Sequence, residues 1–324
     1  MIKITLQRII TVIACICIPK LIVAQAPNLG TTAGFALFTS VGAFNNNGAS
    51  VVTGDVGTNA GAFTAFPTGT LVGQIYVVDA VSLQAASDLD IAVTDLNTTS
   101  CGSTIGNILG NGQTLTAGVY CHPAAASLNA TLILDGLGDP NALFIIKIGG
   151  AFSTSTYTNV TLINGASANN VFWFIDGQFD LGEGSVFRGT VVANGAINLL
   201  EASSLYGRAL SYSGAIALHN NLVTTFPLAA GAITGTATVC QSQTGVTYSI
   251  PVITNATGYV WSLPAGVTIA SGSNTNTITI DYSASAVDGI ITVQGTNDSG
   301  VGIVSANYSV TVNLTTLTSA IYHN

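Results

Sequence analysis

A short motif recurs along the chain at a spacing that leaves few folds open. Gly177-Gln178-Phe179-Asp180-Leu181, Gly195-Ala196-Ile197-Asn198-Leu199 and Gly214-Ala215-Ile216-Ala217-Leu218 start 18 and then 19 residues apart, and Gly150-Ala151-Phe152-Ser153-Thr154 is an earlier copy. A second pattern accompanies them: Leu143-Phe144, Val171-Phe172, Val186-Phe187 and Leu205-Tyr206. Periods of roughly 20 residues, each holding several short strands, mark a solenoid, in which a repeat buries its apolar side only by stacking on its neighbours. The two-residue alternation of a strand turns Phe152, Phe179, Ile197 and Ile216 inward, together with Thr154, Leu181, Leu199 and Leu218. It places Ser153, Asp180, Asn198 and Ala217 in one outward column.

The stacked coils of a β-helix bury aliphatic ladders and need turn residues at their corners. Composition agrees: 48% of the 324 residues are hydrophobic, 36 are Gly and only 6% are charged, where an ordinary domain carries ~25% charge. Disorder is excluded by the apolar content. Lys3, Arg8 and Lys20 lie in the first 20 residues, leaving Lys147, Arg188 and Arg208 against 14 carboxylates. That balance argues against nucleic acid and anionic membrane as partners. Residues 1–24 read as a secretion signal cleaved after Ala24, because Pro19 and Lys20 interrupt the apolar run well short of the ~20 residues a spanning helix needs.

One segment has helical periodicity. Over about 78–97, Ala85, Ala86, Leu89, Ala92, Val93 and Leu96 recur at three- and four-residue steps, and Asp88, Asp90 and Asp95 are expected on the solvated side. Cys101 and Cys121 bracket a Gly/Asn-rich loop and are expected to pair in an oxidising compartment, a closure worth about 3 kcal/mol. A metal site with His122 is the competing reading and lacks a fourth ligand. The same loop is expected to cover one end of the solenoid, since unpaired strand edges aggregate. Arg188 and Arg208 are expected to pair with Glu183 and Glu201. Beyond Pro227 the texture changes. Short alternating strands at 246–250, 258–263, 275–282, 289–295 and 307–312, with Trp261 among them, read as a β-sandwich over 228–313, and 314–324 forms a tail.

Two resemblances sit on these residues. Asn28-Leu29-Gly30, Thr53-Gly54-Asp55-Val56-Gly57, Gly73-Gln74-Ile75-Tyr76, Gly112-Gln113-Thr114-Leu115, Asn141-Ala142-Leu143-Phe144-Ile145, Asn170-Val171-Phe172-Trp173, Phe187-Arg188-Gly189-Thr190 and Gly207-Arg208-Ala209-Leu210 follow one another in the order found in DUF3494 ice-binding proteins. Residues 28–226 therefore resemble that family, which implies a discontinuous triangular β-helix with a long flanking helix, binding ice through one flat face. Residues 231–313, with Tyr259-Val260-Trp261-Ser262-Leu263-Pro264 and Gly289-Ile290-Ile291-Thr292-Val293, resemble a PKD-like, immunoglobulin-type module of bacterial secreted proteins. In that module an Asn-x-Cys-Gly segment partners the early cysteine. Here it reads Asn297-Asp298-Ser299-Gly300, so the resemblance implies that Cys240 is unpaired.

Ice has no net charge and a fixed lattice, so a binder needs a wide, rigid array of small hydroxyl and methyl groups. A β-helix supplies one, with coils ~4.8 Å apart and outward residues ~6.6 to 7 Å apart along each strand. Candidate ice-binding positions are Ser50, Thr53, Ser153, Ser155, Asn198 and Ser213. The expected fold is all-β dominated: a right-handed discontinuous triangular β-helix over 25–227 with one flanking helix, then the sandwich. The expected function is that of a secreted, monomeric ice-binding protein whose partner is the ice surface, with no catalytic residue, cofactor or metal. The rival classes are a polysaccharide-acting β-helix enzyme, for which Asp176, Asp180 and Glu183 are the nearest carboxylate cluster, and a cell-surface adhesin.

Overall fold

The computed structural model describes residues 25–66 and 68–314. Residues 1–24, expected to be a secretion signal and holding Cys15 and Cys17, and the residues beyond 314 lie outside the described residues.

From Phe35 to Thr224 the chain winds into coils whose strands pair only in parallel and form three faces. The second face is a separate eight-stranded sheet. The first and third merge into a 15-stranded sheet, because strands Val186–Ala193 and Ser204–Ser211 run unbroken around the corner between them. The corner needs glycine. Gly207 has φ 151°, and a Cβ there would run into the carbonyl oxygen of Gly189 on the neighbouring coil. This corner also corrects the second sequence pattern, which mixes two faces: Val171 pairs with Phe144 on the first, whereas Phe187 pairs with Leu205 on the third.

The stacking is discontinuous. Strand Phe44–Asn46 lies on Ile216–Leu218, and Val51–Thr53 on Leu222–Thr224, so coils from before the helix sit on the last coils of the solenoid. Inside, Phe152, Phe179, Ile197, Ile216, Leu181, Leu199 and Leu218 are buried in ladders, as their alternation requires. Phe152 stacks on Phe179 at 5.9 Å and on Trp173 at 5.6 Å between ring centroids. Each such side chain contributes about 1.5–3 kcal/mol through burial.

Helix α1, Ala80–Thr98, lies along the first face. It opens on a capping box, in which Asp79 accepts from the Ser82 amide and the Ser82 hydroxyl accepts from the Asp79 amide. It buries Ala85, Leu89 and Leu96 against Phe38, Ile145, Phe172 and Leu210. At its other end the Lys147 ammonium donates to the carbonyls of Asn97 and Thr99, where a cation suits the helix dipole. The helix carboxylates are not simply solvated, contrary to expectation. Asp88 accepts from the Thr31 amide at 2.6 Å, Asp95 from the Asn28 amide at 3.4 Å and Asp90 from the Tyr212 hydroxyl, so they fasten neighbouring chain to the helix.

Cys101 and Cys121 form a disulfide, which removes the metal reading with His122. The segment between them is no separate cap; Ser103–Thr104, Ile108–Gly110 and Gln113–Thr116 form the terminal coil itself. The arginines pair with neither Glu183 nor Glu201. Arg188 donates to Asn159 and to the Val160 carbonyl and lies over Tyr206; buried Arg208 donates to the Ala33 carbonyl and lies over Phe226. Among the described residues no helix is long and apolar enough to cross a membrane.

Residues 234–313 form two further sheets, Thr234–Gly235, Val246–Ser249, Thr277–Tyr282 and Val267–Ser271 in one, Thr238–Cys240, Tyr308–Asn313, Gly289–Asn297 and Gly258–Ser262 in the other. Between them lie Tyr248, Trp261, Ile278, Ile280 and Val293. Strand Val267–Ser271 is not among the strands expected from sequence; none of its residues is buried and it holds only two large apolar side chains, Val267 and Ile269. Cys240 is free and exposed. Ser299 does not stand in for its partner: Cys240 pairs alongside Asn313 at one end of the module, and strand Gly289–Asn297 spans on the order of 27 Å to the other end. There the buried Ser299 hydroxyl donates to the Thr224 carbonyl and Asn297 donates to that of Thr225, joining module to solenoid.

Candidate functional site

Of the three faces, the first is covered by α1. The third carries many threonines, among them Thr53, Thr70, Thr114 and Thr161, but Arg188 over Tyr206 interrupts it and the module joins it at Thr224. The second face carries neither helix nor module.

Its central outward column follows the strand register from coil to coil: Thr64, Asn45, Ala217, Asn198, Asp180, Ser153, Ser127 and Ile108. Two residues before the central residue, at the entry to all but the strand of Ile108, stands a flanking column of Ala62, Ala43, Ala215, Ala196, Gln178, Ala151 and Ala125, and the ladder hydrogen bonds continue through it. The side chains are small because the strands are short, Phe152–Thr154 and Ile197–Leu199 being three residues each, with tight corners on either side. At one such corner a Cβ on Gly214 would meet the backbone of Gly195 and Ala196. The face is therefore short along each strand but eight strands across, regular and close to uncharged, with Asp180 the single carboxylate in these columns.

The six sequence candidates scatter. Ser153 and Asn198 stand in the central column, and Ser155 lies at its edge, donating to Asn129 at 2.6 Å. Ser213 is exposed at the corner between first and second faces, its hydroxyl donating to the Asn194 carbonyl. Thr53 belongs to the third face. Ser50 is buried, contrary to its outward assignment; its hydroxyl donates to Asn46 at 2.9 Å and accepts from the Asn221 amide, so it holds a corner from within. Thr64, Asn45, Ser127 and the alanine column were missed. The signal existed: Gly42-Ala43-Phe44-Asn45 and Gly61-Ala62-Phe63-Thr64 copy the later motif but precede the helix, outside the continuous run.

The carboxylates of the rival enzyme reading do not converge. Asp176 accepts from Asn194 at one edge of strand Phe179–Leu181, Glu183 lies beyond the other edge, and Asp180 is between them on the open face. His122 and His219 each bond a backbone carbonyl of a neighbouring coil, those of Ile105 and Leu199.

A family profile described as Ice-binding-like matches residues 38–224, and one described as PKD-like domain matches 226–310. The chain is 35% identical over 202 residues to an ice-binding protein of Nostoc sp. (strain HG1), covering 62% of this chain and 74% of that one. It is 30% identical over 214 residues to an ice-binding protein of Flavobacterium frigoris (strain PS1), covering 61% and 75%. Among solved structures, an ice-binding protein from an Antarctic Flavobacteriaceae bacterium superposes with TM-score 0.61 at 41% identity, over 68% of this chain and 56% of that one. One from the Antarctic ascomycete Antarctomyces psychrotrophicus gives TM-score 0.59 at 33% identity, over 62% and 98%.

Proposed function

The chain belongs to the Ice-binding-like family, and from that premise we propose that it adsorbs to ice through its second face, inhibiting ice growth and recrystallisation. The observation that carries this reading is the in-register pair of outward columns, alanine at six of the seven positions of one and Ser, Thr, Asn or Ala at six of the eight positions of the other. Neighbouring coils repeat at ~4.8 Å and outward residues along a strand at ~6.6 to 7 Å, so methyl and hydroxyl groups form a two-dimensional lattice that can hold water in an ice-like order. Parallel pairing and a packed core keep that lattice rigid, and few long charged side chains disturb it.

In this reading the protein is a secreted monomer without enzymatic activity. Residues 25–227 carry the ice activity, and 228–313 serve as a spacer joined at Thr224 and Thr225. Purified residues 25–324 at micromolar concentration should arrest the coarsening of ice grains and shape growing crystals. Unchanged grain growth and crystal habit would defeat the proposal. Cleavage of a polysaccharide, lost on changing Asp176 or Glu183, would favour the enzyme class instead.

A further inference from the structure

Asp180 stands in the middle of the central column, between Asn198 and Ser153. A carboxylate binds water strongly and in its own geometry, so on a surface that must order water as ice does it is the side chain most apt to spoil the fit. Its surroundings counter this. Gln178, two residues earlier at the entry to the same strand, donates from Nε2 to Oδ1 at 2.7 Å and to Oδ2 at 2.8 Å. Asn198, directly across the parallel ladder, donates from Nδ2 to Oδ1 at 2.7 Å. A carboxylate offers about four acceptor sites, and amide hydrogens of the protein make three hydrogen bonds to this one. One amide pulls along the strand and the other across it, so the carboxylate is held against the sheet.

The sequence carries an independent sign of the same arrangement. Gln178 is the single departure from alanine in the flanking column between Ala62 and Ala125, and it falls on the strand whose central residue is charged. The long amide occurs where a carboxylate needs a partner and nowhere else along the column.

We infer that Gln178 and Asn198 are positioning residues: an amide clamp that holds Asp180 against the sheet and keeps it from disordering the water layer. The inference rests on the second face being the ice-contacting surface. It is tested by the thermal hysteresis of mature full-length protein carrying Gln178→Ala or Asn198→Ala, each made both with Asp180 present and in an Asp180→Ser background, in a double-mutant cycle. The fractional loss of activity caused by each alanine variant should be about twofold or more larger with Asp180 present than in the Asp180→Ser background. Thermal melting of every variant establishes that it is folded. Equal losses in both backgrounds would mean that the amides contact ice themselves, and no loss with Asp180 present would mean that the carboxylate does no harm unclamped; either result overturns the clamp. A Ser153→Tyr variant separates the two levels of the account. If it keeps full activity, the face is wrongly chosen; if it loses activity while the cycle shows no coupling, the clamp alone fails.

Discussion

Arg208 shows how this chain uses a cation where no anion is offered. Its guanidinium is buried, donates from Nε to the Ala33 carbonyl at 2.8 Å and lies 4.8 Å over the Phe226 ring, and burial lowers its pKa to about 10. A planar fork suits a carbonyl and a ring face together, and an ammonium does not. Arg208→Lys should therefore destabilise the protein by about 1–3 kcal/mol in urea titration, since the hydrogen bond from the charged guanidinium to the carbonyl of half-buried Ala33 would be lost. A smaller change would mean that Phe226 packing alone holds the site. The arginines were misread from sequence because a charge suggests an opposite charge, and spacing along the chain says nothing of carbonyls brought near by stacked coils. Ser50 failed for a similar reason: a corner hydroxyl can point in or out, and only the Asn46 and Asn221 contacts decide it.

At the scale of elements, the parts that were legible are those with local spacing. The inward ladder through Phe152, Phe179, Ile197 and Ile216 followed from alternation and an 18- to 19-residue period. The coils before the helix were not placed, because Phe44 meets Ile216 across a gap in the chain that no local rule spans. The disulfide spans 20 residues, about one coil, and ties the terminal coil to the next. Unfolded, unreduced protein lacking residues 1–24 should therefore take up one thiol label per chain, at Cys240; three labels would refute the pairing. Helix α1 carries a pH signature. Burial pushes Asp88 up, but hydrogen bonds from the Thr31 amide and hydroxyl and from Gln84 outweigh it, and its pKa falls below the ordinary carboxylate value. Such a group adds stability above its unfolded pKa of ~3.9, and that stability is lost as pH drops through the lower folded value. Between pH ~5 and ~3 the urea midpoint of Asp88→Asn should fall less than that of the unaltered protein. Equal slopes would show that Asp88 is solvated after all.

For the whole molecule, the division of labour between solenoid and sandwich turns on the junction. The module reaches the solenoid through Ser299 at Thr224, Asn297 at Thr225 and Asn169 at Val301, at the third face and beside the turn Ala168–Asn170. None of these contacts touches the second face. A chain ending at Pro227 should thus keep its ice activity while losing some thermal stability, as Phe226 and the Thr224 and Thr225 carbonyls become exposed. A folded truncation without ice activity would require the module to contribute directly. Both domains were legible in outline, from texture and from family-like motifs, but the free face was not, because the faces covered by α1 and by the module are known only once the chain is folded.

Whether the second face meets ice is decided by partition into a growing ice hemisphere. A double variant, Ser127→Tyr with Ser153→Tyr, adds bulk to two adjacent positions of the central column, whereas Thr53→Tyr with Thr114→Tyr adds the same bulk to the third face. Ser153 and Thr114 are exposed and Ser127 and Thr53 half-buried on outward-facing positions, so thermal melting is measured alongside to establish that both proteins remain folded. The first pair should abolish incorporation into ice and the second should leave it close to that of the unaltered chain; the reverse pattern would mean that the third face, not the second, meets ice.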